Sequence, residues 1–193
     1  QNLESLLAKG RITREWMLGV MGRIRFTSDL QDCLADIIIE AIVEKPELKI
    51  ALFNQLAELN HSEVIFASNT SSLSVSRIAE GVQKPERVIG MHFFNPATIM
   101  KLVEVVNTPY TNTHTTDTVM ELARAMGKVP VQCSDAPGFI VNRVARPFYI
   151  ESLRLAEEGK ISYEQIDQLL EAAGFKLGPF RLMDLIGNDI NYA

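Results

Sequence analysis

The stretch DIIIEAIVEKPELKI, residues 36–50, decides the fold class. Residues 36–43 are a near-continuous β-branched run interrupted by Glu40 and Ala41. Such a run suits a strand covered on both faces, as in a parallel sheet. Glu44-Lys45-Pro46-Glu47 then opens a helix. The proline pre-sets the first turn, and the acids favour the positive end of the helix dipole. Leu48, Leu52 and Leu56, with Ala51, give that helix one apolar stripe. A buried strand that runs straight into an amphipathic helix places the chain in the α/β class.

The pattern repeats downstream. Strands are predicted at 64–67, 88–94, 102–106 and 129–133. A short helix is predicted at 75–80, and a longer one at 115–126 that stops at Gly127. This alternation implies a largely parallel sheet. Upstream, residues 1–7 read as a helix closed near Gly10. Thr13 caps a second helix with Trp16, Met17, Val20 and Met21 on its apolar stripe. Residues 24–27 are a short strand candidate.

The character changes near residue 134. Asp135-Ala136-Pro137-Gly138 reads as the start of a long helix, with Asp135 as its cap, a bend at Pro147 and an end near Glu158. Ser162 caps a helix over 163–173 that Gly174 closes, and Gly178-Pro179 opens another. No strand signal follows Cys133. The expected organisation is a sheet domain over residues 1–134 and an all-helical domain over residues 135–193.

Bulk properties narrow the function classes. The 193 residues carry a formal net charge of −5, which argues against a nucleic-acid surface. No stretch approaches the roughly 18–20 apolar residues of a membrane span. The opening QNLESLLAKGRI has no apolar signal core. Cys33 and Cys133 are the two cysteines, and neither has a CxxC neighbour or histidines at metal spacing. Two reduced thiols, a cytoplasmic location and no metal site are therefore expected. The chain begins at Gln1 within a helical pattern and stops at Asn191-Tyr192-Ala193, so both ends are expected to be cuts from a longer protein.

Three apolar runs each deliver polar groups: VIFASNTSSL (64–73) ends in Ser71, RVIGMHFFNP (87–96) contains His92, and KLVEVV (101–106) contains Glu104. Serine, histidine and a carboxylate are the parts needed to move a proton on and off a substrate oxygen. Glu44, Asn69, Thr70 and Ser71 all follow strand ends, where an α/β sheet binds its ligands. A dinucleotide fold also needs G-x-G-x-x-G after its first strand. Gly19 and Gly22 lie inside a helical pattern and do not supply it. If the chain is part of a dinucleotide enzyme, that strand, turn and helix precede Gln1.

In order, VIFASNTSSL, HFFNP, MKLVEVV, DAPGFIVNR (135–143) and GPFRLMDLIG (178–187) resemble the L-3-hydroxyacyl-CoA dehydrogenases, bacterial 3-hydroxybutyryl-CoA dehydrogenases among them. The similarity runs from about Asp36 to Ile190. It implies a Rossmann-like NAD-binding domain, here without its N-terminal part, followed by a helical domain, here without its C-terminal part, through which two copies pair as a homodimer. It implies oxidation of a 3-hydroxyacyl-CoA thioester to the 3-ketoacyl thioester, with NAD as cofactor. Carried across by motif, His92 matches the catalytic base and Glu104 the carboxylate paired with it. Asn142 matches the catalytic asparagine, and Ser71 the serine that touches both substrate and cofactor. Glu44, Lys49 and Asn95 match positions that contact NAD.

Spacing alone leaves plainer readings open. His92 fits a satisfied core histidine, Ser71 a helix cap, Glu104 an exposed strand position and Asn142 a solvated helix position. Two other functions also stand beside the dehydrogenase reading. One is the dehydrogenase part of a multifunctional fatty-acid oxidation protein. The other is a non-catalytic unit of the same fold. An exposed apolar face is expected on residues 149–155 or on the last helix.

Overall fold

The computed structural model describes residues 2–187. Gln1 and residues 188–193, which include both ends read above as cuts, lie outside the described residues. The chain divides into two compact units, residues 1–34 and 35–193.

The first unit is helical. α1 spans Asn2–Ala8 and α2 spans Arg14–Met21. Thr13 caps α2 by accepting the Trp16 N–H at 3.1 Å. Residues 24–27 are not a strand. Among the described residues no neighbouring ladder takes their polar groups, and local partners do instead: the Ile24 N–H donates to the Met21 carbonyl, and the Thr27 hydroxyl to Asp32 Oδ2 at 2.8 Å. Phe26 stands 83% exposed there.

The second unit carries a five-stranded sheet, β1 (Ile37–Glu40), β2 (Ile65–Ser68), β3 (Val88–Phe93), β4 (Leu102–Asn107) and β5 (Val129–Ser134), in that spatial order. Three pairings are parallel, and β3 with β4 is antiparallel. The helices among these strands are α3 (Pro46–Leu59), α4 (Val75–Glu80) and α5 (Thr113–Ala125). Ile65, Ala67, Ile89, Met91, Val103 and Val105 from the strands meet Val119 and Ala123 from α5 in one core. Alternating strand positions thus face the apolar stripe of α5.

β1 is shorter and less covered than its apolar run predicts. Strand pairing ends at Glu40, and Ile39 is 41% exposed. β1 lies at the edge of the sheet, and beyond it side chains claim the backbone. The Ile42 N–H donates to Glu40 Oε1 at 2.6 Å, and the Ile42 carbonyl accepts from Lys49 Nζ at 3.4 Å. Those groups are lost to the ladder.

Among the described residues three helices follow β5: α6 (Val141–Glu157), α7 (Tyr163–Ala172) and α8 (Pro179–Ile186), and they pack on one another. Ser162 and Gln165 form a reciprocal capping box on α7. The buried carboxylate of Asp167 caps α8, accepting the N–H groups of Phe180 at 2.9 Å and Arg181 at 3.2 Å. The start of α6 departs from expectation. Asp135 does not cap it; Oδ2 accepts from the Ser74 hydroxyl and the Ser76 N–H, both at 2.8 Å, at the start of α4. Residues 135–139 are a turn with Gly138 at φ 74° and Phe139 at φ 45°, and α6 begins only at Val141.

Candidate active site

His92 and Glu104 are brought together by register. They sit directly opposite each other on antiparallel β3 and β4. Such cross-strand neighbours lie within side-chain reach on one face. His92 Nδ1 and Glu104 Oε2 are 2.7 Å apart. His92 is 6% exposed and Glu104 1%. A buried carboxylate is costly unless its oxygens are occupied, and here both are. Oε2 takes the imidazole, while Oε1 accepts the N–H groups of Ile140 at 2.9 Å and Val141 at 2.8 Å. Those are orphan donors at the N-terminus of α6, where the helix dipole also favours an anion. Glu104 therefore holds the imidazole and the start of the helix that carries Asn142.

A carboxylate at Nδ1 favours a proton on that nitrogen and leaves Nε2 as the ring's other nitrogen. Among the described residues Nε2 has no partner. Two aromatic rings flank the imidazole, Phe94 at 4.5 Å and Phe139 at 5.8 Å between centroids. They help to shield it from bulk water.

Ser71 and Asn142 meet each other. Asn142 Nδ2 donates to the Ser71 carbonyl at 3.4 Å, and both residues are exposed. The Ser71 N–H donates to Glu44 Oε1 at 3.2 Å, and the Thr70 hydroxyl bonds the same oxygen. The cap of α4 is Ser74, which accepts the Arg77 N–H, so Ser71 is free of that plainer role. Burial pushes the Glu44 carboxyl up. The hydrogen bonds from Thr70, Lys49 and Ser71 and the Lys49 charge outweigh it, and the group sits below its ordinary range. Asn95 is exposed just past β3, before the cis bond to Pro96.

Lys49 is placed differently from a free cofactor contact. It is 1% exposed, and all three of its donors are used, on Glu40 Oε1 at 2.6 Å, Glu44 Oε2 at 3.0 Å and the Ile42 carbonyl at 3.4 Å. Cys133 offers no rival nucleophile. Burial first, then the charges of Glu104 and Asp135, push its thiol up to about 11.

Residue reasoning missed Glu40, whose buried carboxylate anchors Lys49, although a lone charge inside an apolar strand was its signal. It also missed Phe139. Nothing in Pro137-Gly138-Phe139 announces a left-handed phenylalanine packed against a histidine.

The comparisons with known proteins decide the family. Residues 1–136 match the model for the 3-hydroxyacyl-CoA dehydrogenase NAD binding domain, and residues 138–193 match that for the 3-hydroxyacyl-CoA dehydrogenase C-terminal domain. The chain belongs to the 3-hydroxyacyl-CoA dehydrogenase family. Among curated relatives, the chain is 46% identical over 193 residues to 3-hydroxyadipyl-CoA dehydrogenase of Escherichia coli, covering 99% of this chain and 41% of that protein. It is 41% identical to 3-hydroxybutyryl-CoA dehydrogenase of Clostridioides difficile, covering 98% of this chain and 68% of that protein. The crystal structure of 3-hydroxybutyryl-CoA dehydrogenase from Escherichia coli superposes with a TM-score of 0.95 at 45% identity, over 98% of this chain and 41% of that one. The expected Rossmann-like sheet followed by helices is thus the fold of this dehydrogenase family. The chain spans less than half the length of the first of these relatives.

Proposed function

We propose that this chain supplies the catalytic half of an NAD-dependent dehydrogenase acting on 3-hydroxyacyl-CoA thioesters. The observation that carries the reading is the imidazole of His92, locked at Nδ1 by Glu104 and open at Nε2. Oxidising a secondary alcohol removes a hydride from carbon and a proton from oxygen. NAD, when bound, supplies the hydride acceptor. His92 Nε2 accepts the hydroxyl proton and returns it in the reverse direction. Glu104 fixes the tautomer and offsets the charge that forms on the ring. Asn142, beside Ser71, donates to the reacting oxygen or the thioester carbonyl and holds its geometry.

The donor set at the strand ends fits the cofactor. Glu44 offers an ionised, half-exposed carboxylate suited to sugar hydroxyls, and Ser71 and Asn95 add exposed polar groups beside it. In this reading Glu44, Ser71 and Asn95 would hold NAD, with Lys49 acting through Glu44.

The test uses the protein as its gene encodes it, followed by NADH absorbance with acetoacetyl-CoA. His92→Gln should lower turnover by roughly 10²–10⁴-fold with the circular dichroism spectrum unchanged. Near-normal turnover in that variant would remove His92 from the role. No activity in the unmodified protein would retire the enzyme reading.

A second copy is the proposed partner. Leu153 and Leu155 of α6, Leu169 of α7 and Leu185 of α8 are all substantially exposed. Apolar surface of this kind favours a partner protein. Sedimentation velocity that gives one monomeric species at every concentration would contradict the pairing. A cytoplasmic location is proposed on the two free thiols, Cys33 and Cys133.

A further inference from the structure

Beneath the site at the end of β1 lies a charged network that the proton-transfer chemistry does not use. Glu40, on the last position of β1, is buried with its carboxylate fully engaged. Oε2 accepts the Ser68 hydroxyl at 2.7 Å, and Oε1 accepts Lys49 Nζ and the Ile42 N–H, both at 2.6 Å. Lys49, in the first turn of α3, passes the link on to Glu44 Oε2 at 3.0 Å. Glu44 Oε1 in turn holds the Thr70 hydroxyl and the Ser71 N–H. Thr70, itself buried, also accepts the Leu73 N–H at 2.9 Å, so the turn after β2 is wound around one hydroxyl. The last member, Ser71, carries the carbonyl that Asn142 binds.

A buried carboxylate and a buried ammonium, linked to a second carboxylate at the surface, are a poor way to gain stability. Desolvating the Glu40–Lys49 pair costs more than an apolar packing of the same volume would. What such a trio gives is geometry, because each charge has one low-energy position. An isolated Glu44 on a loop would sample many rotamers. Held by Lys49, which is itself held by Glu40, it presents one oxygen to the Ser71 turn.

We propose that Glu40 is a positioning residue that acts through Lys49 and Glu44 to hold Ser71 where the cofactor and Asn142 meet it. Ser71 is placed by the charge at the end of the neighbouring strand β1 as well as by its own strand. The cofactor part of this inference rests on the function proposed above; the mechanical part does not.

The experiment reads the two parts separately. In ¹⁵N-labelled protein as its gene encodes it, the amide exchange rate of Ser71 is measured by NMR, and NADH affinity by fluorescence titration. The variants are Glu40→Gln, Lys49→Met, the double variant, and Ser68→Ala. Glu40→Gln should speed Ser71 exchange and weaken NADH binding, each about tenfold, the scale of one charged hydrogen bond. Lys49→Met should do the same. The double variant should be no worse than either single one, since both break the same link. Ser68→Ala only loosens Glu40 and is expected to fold in any case, so it decides the matter if Glu40→Gln does not fold. It should shift both readings in the same direction by about threefold.

Unchanged Ser71 exchange in Ser68→Ala and in any folded Glu40→Gln protein would overturn the proposal, as would effects of Glu40→Gln and Lys49→Met that multiply. Should the exchange follow the expected pattern while the unmodified protein binds no NADH, the relay stands and the cofactor reading falls.

Discussion

At the scale of single residues, Glu104 carries two duties that are usually divided. One oxygen orients an imidazole and the other closes a helix N-terminus. A glutamine of the same shape cannot do both. Its amide has one acceptor oxygen, and its NH₂ group would face either the imidazole N–H or the two backbone donors of α6. Glu104→Gln should therefore lose activity by about 10²-fold through the histidine. It should also lose about 1–2 kcal/mol of stability through the cap. Turnover and thermal unfolding measured on the same preparation check the coupling. A variant with full stability and low activity would show that the helix does not depend on this carboxylate. The same logic makes Ser71 and Asn142 more than neighbours, because the turn that holds one and the helix that holds the other are each pinned by a carboxylate, Glu44 and Glu104.

At the scale of elements, the passage from β5 to α6 is constrained at both ends. Asp135 ties its first residue to α4 through Ser74 and Ser76, and Glu104 ties its end to β4. Between them the chain must reverse within four residues, which Gly138 and Phe139 achieve in the left-handed region. For Gly138 that conformation is free of steric cost, and there is no room for more: a Cβ would lie 2.9 Å from the Arg143 nitrogen. Gly138→Ala should cost about 2 kcal/mol, from the backbone conformation and the forced shift of α6 together. That corresponds to a fall in melting temperature of roughly 4–8 °C for a chain of this size. It should also reduce turnover, since α6 carries Asn142. An alanine variant that melts with the parent would mean the turn relaxes without strain. Phe139 meets the same backbone demand without a glycine's freedom, and its ring is held against His92 at 5.8 Å.

At the scale of the whole molecule, the α/β class and the late switch to helices were legible because they rest on periodicity, which survives without tertiary information. Residues 36–43 announced a strand, but not that it would stop at Glu40, because its end is set by side chains from α3 and by the sheet edge. Residues 24–27 carried strand propensity, but among the described residues no strand pairs with them. His92 and Glu104 were nameable one by one. Their pairing depends on the antiparallel register of β3 and β4, which no local pattern encodes. Asp135 looked like a cap and is one, for a different helix, because capping is decided by which donors are near in space. That misplaced cap and Glu44 together set how the molecule responds to acid. Burial raises both carboxyls, and hydrogen bonds outweigh it and leave both below their ordinary range: Ser76 and Ser74 for Asp135, and Thr70, Lys49 and Ser71 for Glu44. A carboxyl depressed on folding contributes its full stability above its unfolded value and loses it as pH falls through the folded one. The melting temperature should therefore change little on these groups' account between pH 7 and about 5, then fall below about pH 4. The double variant Glu44→Gln, Asp135→Asn isolates the contribution. It should melt well below the parent at pH 7, and the gap should narrow as the pH falls below about 4, as the parent's carboxyls take up protons. A gap that stays constant across that range would mean the two residues stabilise the fold by shape alone, and the charge argument for both ends of the site would fail.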